Sequence, residues 1–169
     1  ICACLVGSEM CIRDSFCAML VLTMSLNTVN AQAGALDYLG HTIDGSELTN
    51  EMESIGNYQS VARSTYLHQG FVRITNNGGG YVGIGAGTEC NVTCGTVKLN
   101  VYLERSSGSE DFYSYKKWEN VDYNTSSLYL NQQVKVEKGY YYRLRGYHSC
   151  TKNGVLENGA SRTDGIYIG

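Results

Sequence analysis

Three cysteines and one histidine lie where their side chains could act together. Cys90 and Cys94 are separated by three residues, and His148 and Cys150 share one side of a predicted strand. In a secreted protein such cysteines form disulfides by default. We predict a Cys94–Cys150 bridge, with Cys90–Cys150 and a local Cys90–Cys94 bridge as alternatives. In each case one thiol is left over, which could react or join two chains.

The same four side chains are ligand types that tetrahedral zinc accepts. The Cys-x₃-Cys spacing is tolerable, but thiolate zinc sites are less common outside the cell and one His-x-Cys is a weak pattern. We therefore predict no metal and no cofactor, and keep a zinc site as the alternative. Its ligands would be Cys90, Cys94, His148 and Cys150.

A second group of residues has the composition of a binding surface. The stretch KGYYYRLRGYHSC, residues 138–150, holds four tyrosines and two arginines. Tyrosine and arginine dominate the energetics of interfaces, and flat rows of aromatic rings suit sugars. The candidate surface collects residues of one parity on strands predicted to be neighbours. It consists of Tyr102, Tyr113, Tyr115, Tyr141, Arg143, Arg145 and Tyr147.

Motifs of hydrolytic enzymes are absent from the sequence. There is no Gly-x-Ser-x-Gly nucleophile elbow and no His-Glu-x-x-His zinc motif. We predict that the protein is not an enzyme. A hydrolase with a site at the loop end, near His148 and Asp164, is kept as an alternative.

The elements that must position these residues are strands. From Gly70 onward apolar and polar residues alternate, and turn residues recur about every ten positions. About seven short strands in this piece predict an all-β, antiparallel two-sheet sandwich of the immunoglobulin or fibronectin type III kind, with a small barrel as the alternative. The predicted strands are GFVRITNN, YVGIGAGTE, TVKLNVYLERS, DFYSYKKWENV, SSLYLNQQVKVE, GYYYRLRGYHSC and a last one over 161–168.

Strand order predicts two specific cross-strand pairs. In a fibronectin-like order the third and sixth strands are antiparallel neighbours. Pairing the start of one with the end of the other sets Glu104 near Arg143 and Tyr102 near Arg145, and each such pair contributes about 0.2–1 kcal/mol. The same order brings the loops that carry Cys94 and Cys150 to one end of the domain.

The first 69 residues are predicted to lie outside this domain. Residues 16–33 are typical of a signal peptide, with a short apolar run and a small-x-small Ala31-Gln32-Ala33 site. Within residues 1–15, CLVGSEMCIRDS resembles a translated sequencing adapter and is treated as an artefact. Residues 34–69 form an acidic, irregular arm, with one helical turn over GSELTNEMESIG capped by Ser46 or Thr49. The β-domain would span residues 70–169.

The chain resembles a family of small secreted proteins from Gram-positive, largely gut-dwelling bacteria, which is catalogued as a domain of unknown function. DGSELT, VYLER, GYYYRLRGYHS and TDGIYI carry the resemblance. It implies an extracellular location and a β-sandwich-like fold, and it implies no activity.

Together these features predict a secreted, extracellular, non-enzymatic binding module for a protein or glycan partner. The net charge of −3 is too small to favour nucleic acid, and no membrane attachment is expected after signal cleavage. A homodimer through the unpaired cysteine is possible. An inert structural or assembly subunit is the alternative role.

Overall fold

The computed structural model describes residues 47–59, 64–108 and 111–169, and its regular elements are all β-strands. The all-β prediction is confirmed. Within these residues no helix is long and apolar enough to cross a membrane. The predicted artefact, the signal peptide and the arm as far as residue 46 lie outside the described residues. The strands are β1 Leu48–Thr49, β2 Glu53–Gln59, β3 Leu67–Asn76, β4 Tyr81–Ser106, β5 Tyr113–Lys135, β6 Tyr140–Lys152, β7 Val155–Arg162 and β8 Gly165–Ile168.

These strands belong to one curled sheet. Its order is β1-β8-β6-β4-β3-β2, with β5 paired to β4 and β7 paired to β6. Neighbouring strands are antiparallel, except that β1 runs parallel to β8. The strands therefore form one sheet and not the two separate sheets of the immunoglobulin-like prediction. The sheet curls into a half-barrel, which is nearer to the small-barrel alternative.

Two long strands make the sheet continuous. β4 and β5 each join two segments that the sequence pattern predicts as separate strands. The first half of β4 lies between β3 and the end of β5, and its second half lies between β6 and the start of β5. A register shift between Glu89 and Cys94 separates the two halves. Such irregularities bend a strand without ending it, so the turn predicted there is a bend.

The bend brings both halves of β4 around one hydrophobic core. Alternate residues of each half point inward, as the period-2 pattern predicts. Burial of these side chains removes apolar surface from water, the main favourable term in folding. The main cluster contains Val72, Ile74, Val82, Ile84, Ala86, Leu99, Val101, Leu103, Leu130, Val134, Val136, Tyr142, Leu144, Ile166 and Ile168.

Two glycines allow β2 and β3 to approach β6 and β7 closely. A Cβ at Gly56 would lie 1.8 Å from the Arg162 carbonyl oxygen, and one at Gly70 would lie 2.3 Å from Cγ of His148. Neither position has room for any side chain, so the curl of the sheet depends on glycine there.

Chain segments outside the predicted domain also join the sheet. The helical turn predicted over residues 45–56 is wrong, because Leu48–Thr49 pairs with β8 and Glu53–Gln59 pairs with β3. The sheet thus begins well before Gly70. The last predicted strand, residues 161–168, also needs correction: Val155–Arg162 forms a hairpin with β6, and β8 is separate.

The β6–β7 hairpin has a sequence signal that the strand pattern did not use. Asn153 and Gly154 both have positive φ, 52° and 77°. Asn-Gly is the preferred pair for a two-residue turn of this type.

Candidate functional site

The two cross-strand pairs predicted on the tyrosine- and arginine-rich surface are present. Tyr102 is opposite Arg145, and Glu104 is opposite Arg143. The Glu104 carboxylate accepts a hydrogen bond from Arg143 Nε at 2.8 Å, and its other oxygen lies 2.7 Å from Arg145 Nη2. Glu104 is only 3% exposed. One carboxylate therefore neutralises part of the charge of two arginines within the sheet surface.

Arg145 lies among aromatic rings on the same face. Its guanidinium carbon is 5.3 Å from the ring centroid of Tyr102 and 5.4 Å from that of Tyr147. The two tyrosine rings meet edge to face at 5.7 Å, and Lys117 Nζ lies 5.4 Å from the Tyr102 centroid. Cations within about 6 Å of a ring centroid are attracted by the ring quadrupole. The rings thus hold two cations in defined positions.

Four side chains form one row across β5, β4, β6 and β7. Lys117 pairs with Tyr102, Tyr102 with Arg145, and Arg145 with Arg162. We call this row, with Tyr147 beside it, the cationic face. On the surface of the sheet around it, five cationic side chains outnumber two anionic ones, since residues directly opposite each other in paired strands share a face. These seven are Lys98, Lys117, Arg143, Arg145, Arg162, Glu104 and Glu119.

The remaining members of the predicted surface lie elsewhere. A register shift between Leu103 and Glu104 turns Tyr113 and Tyr115 to the opposite side of β5, where the Tyr115 ring packs against Tyr142 at 5.5 Å. Alternation along the strand could not reveal this shift. The parity prediction therefore fails for these two tyrosines.

Tyr141 and Arg143 keep the predicted side but are occupied by neighbours. The Tyr141 ring is 5.2 Å from that of Tyr167. Arg143 lies under Phe112, 3.9 Å from its centroid, and its side chain is only 12% exposed. Tyr102, Arg145 and Tyr147 are therefore the part of the predicted surface that meets around one point.

The three cysteines of the described chain converge, as the loop arrangement predicts. The sulfur atoms of Cys90, Cys94 and Cys150 all lie within 4.8 Å of one another, and their thiols are free. We call this group the thiol triad. Cys94 and Cys150 are buried, while Cys90 is partly open. The Cys94–Cys150 pairing and its two alternatives all remain predictions, because each pair is close.

His148 does not belong to the triad. Its Nδ1 is 2.9 Å from Thr88 Oγ1 and its Nε2 is 2.7 Å from Ser161 Oγ. Burial lowers the pKa of His148 to about 4, so the ring is neutral at pH 7. Both ring nitrogens are used by hydroxyl groups, which removes His148 from the zinc alternative.

The loop-end hydrolase alternative loses its base for the same reason. The His148 ring is 1% exposed and has no nitrogen available for a substrate. The enclosed ring is a structural element that ties β6 to β4 and β7.

The glycines of the first half of β4 border a polar trough. At Gly87 the rings of Phe71 and Tyr129 cover the strand, a close approach that glycine permits. Over Gly85 and neighbouring residues there is instead a shallow cavity of about 450 Å³. It is lined by Arg73, Thr75, Asn77, Gly83, Ile84, Gly85, Asn131, Gln132 and Gln133.

The comparison with protein families accounts for nearly all of the described chain. The model of one family, described as a family of unknown function, matches residues 35–165. The chain belongs to the DUF6147 family. The matched range covers the cationic face, the thiol triad, most of the arm and strands β1 to β7 of the curled sheet. No curated protein matches the chain.

Proposed function

We propose that this DUF6147 protein is a secreted, non-enzymatic binding module whose cationic face takes an anionic glycan. The row Lys117–Tyr102–Arg145–Arg162 is the observation that carries the proposal. The short apolar run within residues 16–33, with its small-x-small site, supports secretion.

The cationic face is suited to an anionic ligand because its charges are fixed before binding. Arg145 is held by Glu104 and by two rings, and Lys117 by Tyr102 and by Glu119 at 2.6 Å. Side chains that are already ordered lose little conformational freedom when a ligand arrives. Their excess positive charge attracts carboxylate, sulfate or phosphate groups.

The aromatic side chains favour a glycan over other anions. Tyr147 is the more exposed ring of the pair, and Tyr102 lies between the two cations. A sugar unit can lie along a tyrosine ring while its acidic group reaches Arg145. The paired strands beneath place these side chains in a row, which suits an extended polysaccharide.

Binding to a panel of polysaccharides tests the proposal directly. Acidic polymers that carry uronic acid, sulfate or phosphate groups should bind, and neutral polymers of similar length should bind at least tenfold more weakly. Tyr147→Ala should weaken acidic-polymer binding by about tenfold, in keeping with the loss of an aromatic contact. Raising the salt concentration should weaken it further.

Tyr123→Ala is the matched control. Tyr123 lies on the same face of β5 and is 64% exposed. It is six residues from Lys117 in the strand, which is a distance of roughly 20 Å. Its removal should leave binding unchanged. If neutral polymers bind as well as acidic ones and Gln133→Ala abolishes that binding, the binding site is the polar trough and not the cationic face. If no polymer binds, but the chain captures a protein from the culture and Tyr147→Ala abolishes that capture, the partner is a protein.

A further inference from the structure

The thiol triad is assembled from two strands. Cys90 and Cys94 lie on either side of the bend in β4, and Cys150 lies near the end of β6, opposite Val97. The register shift in β4 turns both of its cysteines toward β6. The two β4 cysteines are thus both near enough to exchange places as the partner of Cys150.

The surroundings of the triad favour neutral sulfur over thiolate. Cys94 and Cys150 are each 1% exposed and pack with Leu67 and Val97, with Leu128, Tyr58 and Tyr66 at the margin. Apolar burial disfavours charged groups, and a disulfide carries no charge. Among the described residues, the metal-ligating group here contains the three thiols and no fourth ligand. A disulfide therefore suits this place better than a tetrahedral metal site.

Solvent access separates the roles of the three thiols. Cys90 is the only partly open member, so an external molecule meets it first. Cys150 lies within hydrogen-bonding reach of both other thiols. A reaction that starts at Cys90 can therefore pass to Cys150 and end at Cys94.

We infer that the thiol triad is a disulfide-exchange site, in which Cys90 receives a small external disulfide and the product is a buried Cys94–Cys150 bridge. The Cys90 thiolate attacks the external disulfide, forms a mixed disulfide and releases one external thiolate. The Cys150 thiolate then attacks Cys90 Sγ, and the second external thiolate leaves. Finally the Cys94 thiolate attacks Cys150 Sγ and regenerates the Cys90 thiol. The external disulfide is reduced to two thiols, and two protein thiols are oxidised.

Charged and titratable groups around the triad make this exchange slow at neutral pH. Burial raises the pKa of Cys90 to about 11, and the Glu157 carboxylate adds to the shift. Burial also raises the pKa of Cys150. Tyr58 and Tyr66 pack nearby, and Lys152 Nζ is 2.6 Å from the Thr93 carbonyl oxygen. Since only thiolate reacts, the rate should rise about tenfold per pH unit from pH 7 to 10.

Oxidation of the folded, reduced protein by glutathione disulfide tests the inference. Peptide mapping of samples quenched with acid and alkylated should show the Cys94–Cys150 bridge as the end product. In a Cys90→Ser variant the same bridge should form at least tenfold more slowly, because the open thiol is missing. Reduction of the finished bridge by glutathione should slow by a similar factor. Equal rates in both proteins would overturn the inference.

A second pair of variants follows the intermediate. With Cys94→Ala and Cys150→Ala combined, Cys90 should keep one glutathione per chain, because no neighbour can displace it. With Cys94→Ala alone, the adduct should fall below one tenth of that level and a Cys90–Cys150 bridge should replace it. An adduct that persists in the single variant would contradict the proposed transfer. One zinc or copper ion per chain in the protein as purified would also contradict it.

Discussion

Glu104 provides the sharpest test of how the cationic face is built. Its carboxylate, 5% exposed, is shared by Arg143, 12% exposed, and Arg145, 31% exposed. Glu104→Gln keeps the size of the side chain but removes its charge. Two guanidinium groups in or near the sheet surface would then lose the carboxylate charge that they share.

The expected loss follows from the burial of the two ion pairs. Breaking one buried ion pair by removing a partner costs about 3–5 kcal/mol, because an uncompensated charge remains. The partial exposure of Arg145 reduces its share, since water screens that group. We therefore expect Glu104→Gln to lower the free energy of unfolding by about 3 kcal/mol, which corresponds to a Tm about 10 °C lower for a domain of this size.

Urea denaturation at pH 7 measures this loss. The matched control is Glu119→Gln, which breaks the exposed Lys117–Glu119 pair, 42% and 60% exposed, and should cost less than about 0.5 kcal/mol. If Glu104→Gln costs no more than Glu119→Gln, the two arginines do not depend on a buried counter-ion. The argument for fixed charges on the cationic face would then fail.

Three further predictions address the core, the curl of the sheet and the thiol triad. His148 has a pKa of about 4 in the folded state and 6.5 in the unfolded chain, so the unfolded chain takes up the proton first as pH falls. The free energy of unfolding should therefore drop by about 3 kcal/mol between pH 6.5 and 4. Urea titrations at several pH values should show a flatter pH dependence of stability for His148→Gln. Gly56→Ala should cost about 3 kcal/mol or more, because its Cβ meets backbone at 1.8 Å, whereas Gly85→Ala, with its nearest atom at 3.6 Å, should cost under about 1 kcal/mol in the same assay. Under oxidising conditions Cys150→Ala should be roughly 2 kcal/mol less stable than Cys94→Ala. The Cys94→Ala variant can still form a Cys90–Cys150 bridge, which closes a long loop, whereas the Cys150→Ala variant can form only the short Cys90–Cys94 loop. Equal Tm values for the two variants would contradict this.

The amino-acid sequence was sufficient for the parts of the fold that depend on alternation. Val97, Leu99, Val101 and Leu103 point inward because a strand exposes alternate residues to opposite sides. The pairing of β4 with β6 also followed from sequence, since only one register places Glu104 against Arg143. A shift of one residue would have turned every apolar side chain to the other face.

Local patterns could not show where a strand bends and where it ends. The break near Cys90 contains turn-like polar residues, yet the backbone continues through it with a shifted register. The same limit applies to Tyr113 and Tyr115, whose side depends on one extra residue opposite β4. Bulges of this kind are decided by how the two strands fit together, and either strand alone gives no sign of them.

The sequence by itself determined that the chain is all-β, which residues of the second half of β4 face inward, and that Tyr102 meets Arg145, because period-2 alternation sets the faces of a strand and its register against a neighbour. The tertiary structure alone decided that one curled sheet replaces two, that His148 is enclosed by Thr88 and Ser161, and that all three sulfur atoms meet. The physical reason is that these contacts depend on where strands bend and approach one another, whereas alternation reports only the two faces of a strand and its register. Their formation depends on the bend in β4 and β5 and on close approach at Gly56 and Gly70, which no local pattern specifies.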